Sequence, residues 1–304
     1  MSPVFFSSRR LASTIFPRRS LRAAWALMVT LFVVTWPSHA AYDASHGRQS
    51  RVELRMLADA ADGRLDEHSL VEATLIAGGT MDRVQLRRLD QQFDALANEL
   101  SDVLDWKTSA RERAAAIREF LHERVLGEYR SNASDVAQTL NTGAFNCVSA
   151  SVLFVALAEH CGLDAHAVQL PEHVRCEVVA GGLAIPIETT SLTAGGQLPS
   201  GLRQARILKP VELVATIYYN RGVLAFDRGD LQTAIDLNTI ATQLDPGCRP
   251  ARDNLLAAIN NRVVELVKSS EAALARQLLD AGLQIDPEYR PFLANRAYLQ
   301  RQIP

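Results

Sequence analysis

Cys147, His173 and Glu188 are the residue types that thiol chemistry needs, and they occur in the middle of the chain. A thiol nucleophile requires a base to take or share its proton. That base requires a third group to fix its tautomer and to stabilise the imidazolium. Cys147 follows Asn146, a good N-cap, and is therefore expected as the first residue of a helix. There it sits in the field of unpaired N–H groups and the positive end of the helix dipole, which favours thiolate over thiol. The alternative use of Cys147 is as a small buried hydrophobe.

Two kinds of element would have to position these groups. From Asn146 to Gly162 apolar residues fall on nearly every side of a helical period, so this helix is expected in the middle of a core, with Gly162 ending it in the left-handed conformation. After Gly162 the period changes to two. His166, Val168 and Leu170 alternate with Ala165, Ala167 and Gln169; Pro171-Glu172 turns the chain; His173 to Ala180 alternates again. Gly181-Gly182 then forms a two-residue turn into Leu183 to Thr189. Such a turn sets Arg175 opposite Glu188 and His173 opposite Thr190. Val174, Cys176, Val178, Ala180, Leu183, Ile185, Ile187 and Thr189 make the core face, and His173, Arg175, Glu177, Ala184, Pro186, Glu188 and Thr190 the polar one. His173 and Glu188 become diagonal neighbours, about 7–8 Å apart along the backbone and within reach of a carboxylate–imidazole hydrogen bond. A slip of one residue would move Glu188 to the other face. In the competing arrangement Glu188 pairs with Arg175 across the strands, worth ~0–1 kcal/mol, and His173 is a plain exposed strand residue. Asn141 is a candidate oxyanion donor beside the Cys147 N–H, outside the set of three.

The order helix, strand, strand for cysteine, histidine and acid resembles the transglutaminase-like superfamily, within the papain-like cysteine enzymes. The likeness runs over roughly residues 52–190 and is closest to a bacterial branch with a helical lead-in. It is carried by Thr142-Gly143-Ala144-Phe145-Asn146-Cys147-Val148-Ser149, Leu170-Pro171-Glu172-His173 and Ile187-Glu188-Thr189-Thr190. The chain departs from the pattern in having Glu188 where aspartate is commoner and Glu172 where a glycine often precedes the histidine. The resemblance implies an α+β core in which a buried, cysteine-bearing helix packs on an antiparallel sheet. It further implies that Cys147 attacks an amide or peptide carbonyl, His173 acts as base and then acid, and Glu188 orients His173. The outcome would be hydrolysis or acyl transfer on a peptide or protein substrate.

Around that core the chain divides into four parts. Residues 1–40 hold five arginines, no acidic residue and an apolar run from Ala23 to Trp36 ending at Pro37 and Ser38-His39-Ala40. This is the pattern of an export signal, too short for the ~20 residues of a permanent span, with cleavage expected after Ala40 and a periplasmic or secreted product. Loss of those five from 32 Lys+Arg, against 34 Asp+Glu, leaves a net charge near −7. Neither nucleic acid nor an anionic membrane surface suits such a chain as partner. Residues 41–130 read as a helical lead-in with one stripe at Leu54, Leu57, Ala58 and Ala61, a second at Leu86, Leu89, Phe93, Leu96 and Leu100, and a Ser109–Glu112 capping box before Ala116, Phe120, Leu121 and Val125. Their charges read as solvated faces. Residues 131–206 hold the core, closing with a linker or flap from Ser191 to Arg206. Residues 207–304 are all-α: Ala215 to Cys248 matches a tetratricopeptide unit through Tyr218, Gly222, Ala225, Gly229, Ala234, Ala241 and Pro246. A second unit, from Asp253 to Pro287, is expected to have about seven extra residues between its helices, and Pro291 to Gln300 reads as a capping helix. Such repeats hold a protein partner or dock on the rest of their own chain.

His160, Cys161, His166, His173 and Cys176 lie close in sequence, but no Cys-x-x-Cys pair exists and His173 and Cys176 fall on opposite faces of a strand, so no metal or cofactor is expected. Four cysteines in an exported chain could form disulfides, but spacing does not pair them, and a catalytic Cys147 leaves an odd three. Two functions follow: an exported transglutaminase-like cysteine enzyme, or a non-catalytic periplasmic adaptor that uses core and repeats as binding surfaces.

Overall fold

Serine and aspartate caps start the helices that carry the chain into its core. The computed structural model describes residues 50–106, 108–192 and 205–302, so the export segment and most of the linker lie outside the described residues. Helix α1 (Arg51–Asp59) begins at Ser50, whose Oγ accepts the Glu53 N–H at 3.1 Å. Its buried residues are Glu53 and Met56, whereas Leu54 is 50% exposed and Ala58 and Ala61 face solvent, which corrects the stripe expected there. The cause is distant in sequence: the Tyr218 hydroxyl donates to Glu53 Oε1 at 2.9 Å inside the protein. Burial pushes the Glu53 carboxyl up from its ordinary range, against the pull of Tyr218 and Arg221.

Asp59 is likewise no solvated charge. Its carboxylate accepts the N–H groups of Asp66, Glu67 and His68 together with His68 Nδ1, pinning the loop that leads to α2 (Leu70–Ala77). Helix α3 (Arg83–Val103) buries Leu86, Leu89, Phe93 and Leu100, as its pattern predicts, with Leu96 of the same stripe half-buried. The Ser109–Glu112 capping box opens α4 (Ala110–Arg124), whose buried residues are Ala114, Ile117, Phe120 and Leu121, with Ala116 and Val125 only half-buried.

A short parallel pair, β1 (Glu128–Tyr129) and β2 (Ala144–Phe145), flanks α5 (Val136–Thr142) and leads directly into α6 (Cys147–His160). Helix α6 is central, packing on β3 (Asp164–Leu170) and β4 (His173–Ala180) and also against α2 and α4. The sheet is antiparallel throughout, in the order β5-β4-β3-β6, with β5 at Leu183–Ile187 and β6 at Arg206–Leu208. The β4–β5 register is the expected one, with Cys176 opposite Ile187 and Ala180 opposite Leu183. Val174, Cys176, Val178, Ile185, Ile187 and Thr189 are buried; Leu183, assigned to the same face, is 72% exposed because it stands at the hairpin tip beyond the helix. Strand β6 begins at Arg206, the last residue of the segment read as linker, and is held there by Arg206, which donates to Gln169 and Asp245.

Helices α7 (Pro210–Asp227) and α8 (Leu231–Leu244) cover the stretch whose sequence matches a tetratricopeptide unit; α9 (Arg249–Lys268), α10 (Ala272–Ile285) and α11 (Arg290–Gln302) follow. The extra residues of the second unit lengthen α9 and do not separate it from α10, because the apolar pattern Leu255, Leu256, Ile259, Val263, Leu266 continues helically to the turn. One buried cluster runs from Met56 through α6 and the sheet to Val211, Leu213, Ile217, Tyr218 and Ala251, so α7 shares the core of the lead-in. A second cluster gathers Ala225, Ala234, Leu255, Ile259, Leu279 and Phe292. The architecture is thus α+β, mostly helical, with a small antiparallel sheet and a helical C-terminal region. Among the described residues no helix is long and apolar enough to cross a membrane.

Candidate active site

Asn146 holds the start of α6 as its sequence suggests: its Oδ1 accepts the N–H groups of Val148 at 2.9 Å and Ser149 at 3.2 Å. Ser149 completes the cap, accepting the Asn146 N–H and donating to the Ala133 carbonyl, so the cap that fixes the helix start is itself buried. Cys147, half-buried, is the first residue after this cap.

His173 opens β4 immediately after a two-residue turn, Pro171-Glu172. Glu172 there has φ +121°, in the region that glycine adopts without strain. Glu188 lies one residue beyond β5. Its Oε2 accepts from His173 Nε2 at 2.8 Å, and its Oε1 accepts the Thr190 N–H at 2.9 Å and the Thr190 hydroxyl at 2.6 Å. Arg175, which the sequence sets opposite Glu188, pairs instead with Glu177. With Nε2 committed to Glu188, the imidazole nitrogen left for Cys147 is Nδ1.

The electrostatics follow from those contacts. The Cys147 side chain, then the Glu188 carboxylate, favours the imidazolium over the opposing effect of burial and pushes His173 up to about 10. Burial works against charge on Glu188, but the bonds from His173 and Thr190 outweigh it and hold that carboxyl at about 2. Cys161, Cys176 and Cys248 are unpaired and buried, and burial pushes each thiol up, Cys176 to about 12, which leaves them poor nucleophiles beside Cys147.

Two further residues at the site were not found from sequence. His122, on α4, meets the Thr189 carbonyl at 3.0 Å through Nε2 and packs edge-on against Phe145 at 5.8 Å, so one side chain braces the segments carrying both Glu188 and Cys147. Tyr129, on β1 beside Phe145, is 51% exposed; burial, then the charges of Cys147 and Glu188, pushes its phenol up. Neither carries a local signal, since both arrive from the lead-in. Asn141, the candidate oxyanion donor, lies elsewhere: its Oδ1 accepts from Arg88 and its Nδ2 donates to the Ala137 carbonyl.

Fold and site together define an α+β chain with a cysteine at a helix N-terminus, a histidine–glutamate pair on the neighbouring hairpin and a helical C-terminal region. No family model matches the chain, and no curated protein matches it. Among solved structures it is similar to menin, in a crystal structure described as revealing the binding site for the Mixed Lineage Leukemia (MLL) protein, with 13% identity, a TM-score of 0.45, and coverage of 80% of this chain and 67% of that one.

Proposed function

We propose that the chain is an exported cysteine enzyme of transglutaminase-like fold that acts on an amide or peptide bond through Cys147, His173 and Glu188. The observation that carries this reading is the 2.8 Å bond between His173 Nε2 and Glu188 Oε2, which leaves Nδ1 of a charged imidazole for the thiol at the start of α6. The Cys147 thiolate attacks the carbonyl carbon, and a carbon–sulfur bond forms as the carbonyl π electrons move to oxygen. The Cys147 backbone N–H, which no acceptor among the described residues takes, is the donor that receives that oxyanion in this reading. Collapse breaks the carbon–nitrogen bond while His173 Nδ1 gives its proton to the departing amine, leaving a thioester. Water or a second amine, deprotonated by His173, then displaces the sulfur and regenerates the thiol. Export accounts for residues 1–40, and peptides or proteins are the substrates.

The test is a peptide library incubated with the full chain and with Cys147→Ser, read by mass spectrometry. New termini or amine-linked products that appear with the parent and vanish with Cys147→Ser are expected. If neither protein yields products, the non-catalytic adaptor, binding partners through core and repeats, is the function that stands.

A further inference from the structure

Three aromatic rings stand edge-on in a row, His122 against Phe145 and Phe145 against Tyr129, each pair with centroids 5.8 Å apart and planes at 89° and 87°. Phe145 is buried and His122 half-buried, whereas Tyr129 is 51% exposed, so the row ends at the surface. It ends beside the nucleophile. Tyr129 stands opposite Phe145 in the β1–β2 pair, the Arg130 N–H donates to the Phe145 carbonyl at 2.8 Å, and the Ser131 carbonyl accepts from Asn146 Nδ2 at 3.1 Å. Residues 129–131 are thereby laced to Phe145 and Asn146, the two residues that lead into Cys147. Burial, then the nearby charges of Cys147 and Glu188, pushes the Tyr129 phenol up, as its place next to them requires. The phenol has no hydrogen-bond partner among the described residues, so strand pairing and the Phe145 ring fix the side chain.

An exposed ring fixed next to a nucleophile presents a flat apolar surface to whatever the nucleophile attacks. Tyrosine suits that task, because it offers a large contact area with little side-chain freedom to lose. Rings also attract one another edge-on or offset-stacked beyond what buried area alone gives, and this row already uses the edge-on geometry twice. Glu128 and Arg130, on either side of Tyr129, pair with each other at 2.6 Å, so this strand offers a substrate no unmatched charge. We propose that Tyr129 is a specificity-determining residue that receives an aromatic side chain of the substrate, so that the enzyme prefers peptides with a ring within one residue of the amide bond that Cys147 attacks. This rests on the enzyme reading above and adds its substrate class.

Thiol-directed probes separate this claim from the catalytic one. N-benzyliodoacetamide carries a ring and iodoacetamide carries none. Each is reacted with the full chain, and alkylation of Cys147 is followed by mass spectrometry. The ratio of the two rates is divided by the same ratio for free cysteine, which removes the intrinsic difference between the reagents. That corrected ratio should be five or more in the parent. Tyr129→Phe keeps the ring and should stay within twofold of the parent, and Tyr129→Ser should bring the ratio to within twofold of one. Should Tyr129→Ser fail to fold, Tyr129→Val, which suits a strand, is read by the same ratio, and a fall of at least threefold is expected. A ratio near one in the parent, a ratio unchanged by loss of the ring, or a fall in Tyr129→Phe as large as in Tyr129→Ser overturns the Tyr129 subsite and leaves the catalytic reading standing. If Cys147 reacts with iodoacetamide no faster than the buried cysteines do, the catalytic reading fails and the ring preference falls with it.

Discussion

Replacing Glu188 with Gln removes the charge bonded to His173 while keeping the size of the side chain, and the structure fixes both the sign and the pH window of the effect. The Glu188 carboxyl stands at about 2 against an ordinary 4.5, so its contribution to stability is present above about pH 4.5 and is lost as the pH falls through about 2. His173 is raised from 6.5 to about 10, so its contribution is full below about pH 6.5 and is lost as the pH rises through about 10. Both shifts describe much of one interaction and are not additive. A pKa unit corresponds to ~1.4 kcal/mol. The Glu188 side chain is 30% exposed, and solvent screening trims the total, leaving about 1–3 kcal/mol lost in Glu188→Gln between pH 5 and 6.5. Urea unfolding of parent and variant at pH 6, 3 and 2 should show that gap at pH 6, a smaller one at pH 3 and almost none at pH 2. Because the Cys147 side chain is the larger influence on His173, the imidazole is titrated by NMR in a Cys147→Ser background, where Glu188→Gln should lower its midpoint by at least one pH unit. A stability gap that does not change with pH, or an unmoved His173 midpoint, would refute the ion pair.

Glu172→Gly should raise stability by roughly 1 kcal/mol, because relief of a strained φ outweighs the entropy glycine adds to the unfolded chain; a loss in thermal unfolding would show that the turn is unstrained. Gly222→Ala should destabilise by about 1–3 kcal/mol despite alanine's better helix propensity, since a Cβ there would stand 2.3 Å from Asn238 Nδ2; an unchanged or higher Tm would count against that close packing of α7 on α8. The chain from Ser50 should unfold in one calorimetric transition, while residues 211–304 alone should melt without cooperativity, because Val211 to Tyr218 belong to the lead-in core; an independent C-terminal transition in the intact chain would contradict the docked repeat.

Much of the candidate site could be read from sequence where local rules decide position. Asn146 can act on the next three residues only, so the start of α6 follows from its own residues. The Gly181-Gly182 turn leaves one register for β4 and β5, and that register alone brings Glu188 to the face of His173. Where a partner lies far along the chain, local rules fail. Glu53 turns inward because Tyr218 waits for it, which reverses the stripe that Leu54 and Ala58 suggest. His122 and Tyr129 reach the site only after the lead-in has folded against α6, and no spacing within α4 or β1 announces it. Strand β6 is three residues beside a Gly-rich run, its place set by pairing with β3 and by the Arg206–Asp245 contact and not by its own pattern.

The catalytic account stands on the contact between Cys147 and His173, and the rate of Cys147 alkylation tests it most directly. With iodoacetamide at pH 6, Cys147 should be labelled well ahead of Cys161, Cys176 and Cys248, whose thiols burial pushes up, and His173→Ala should slow that labelling at least tenfold. Equal rates of Cys147 labelling in the parent and in His173→Ala would contradict the account.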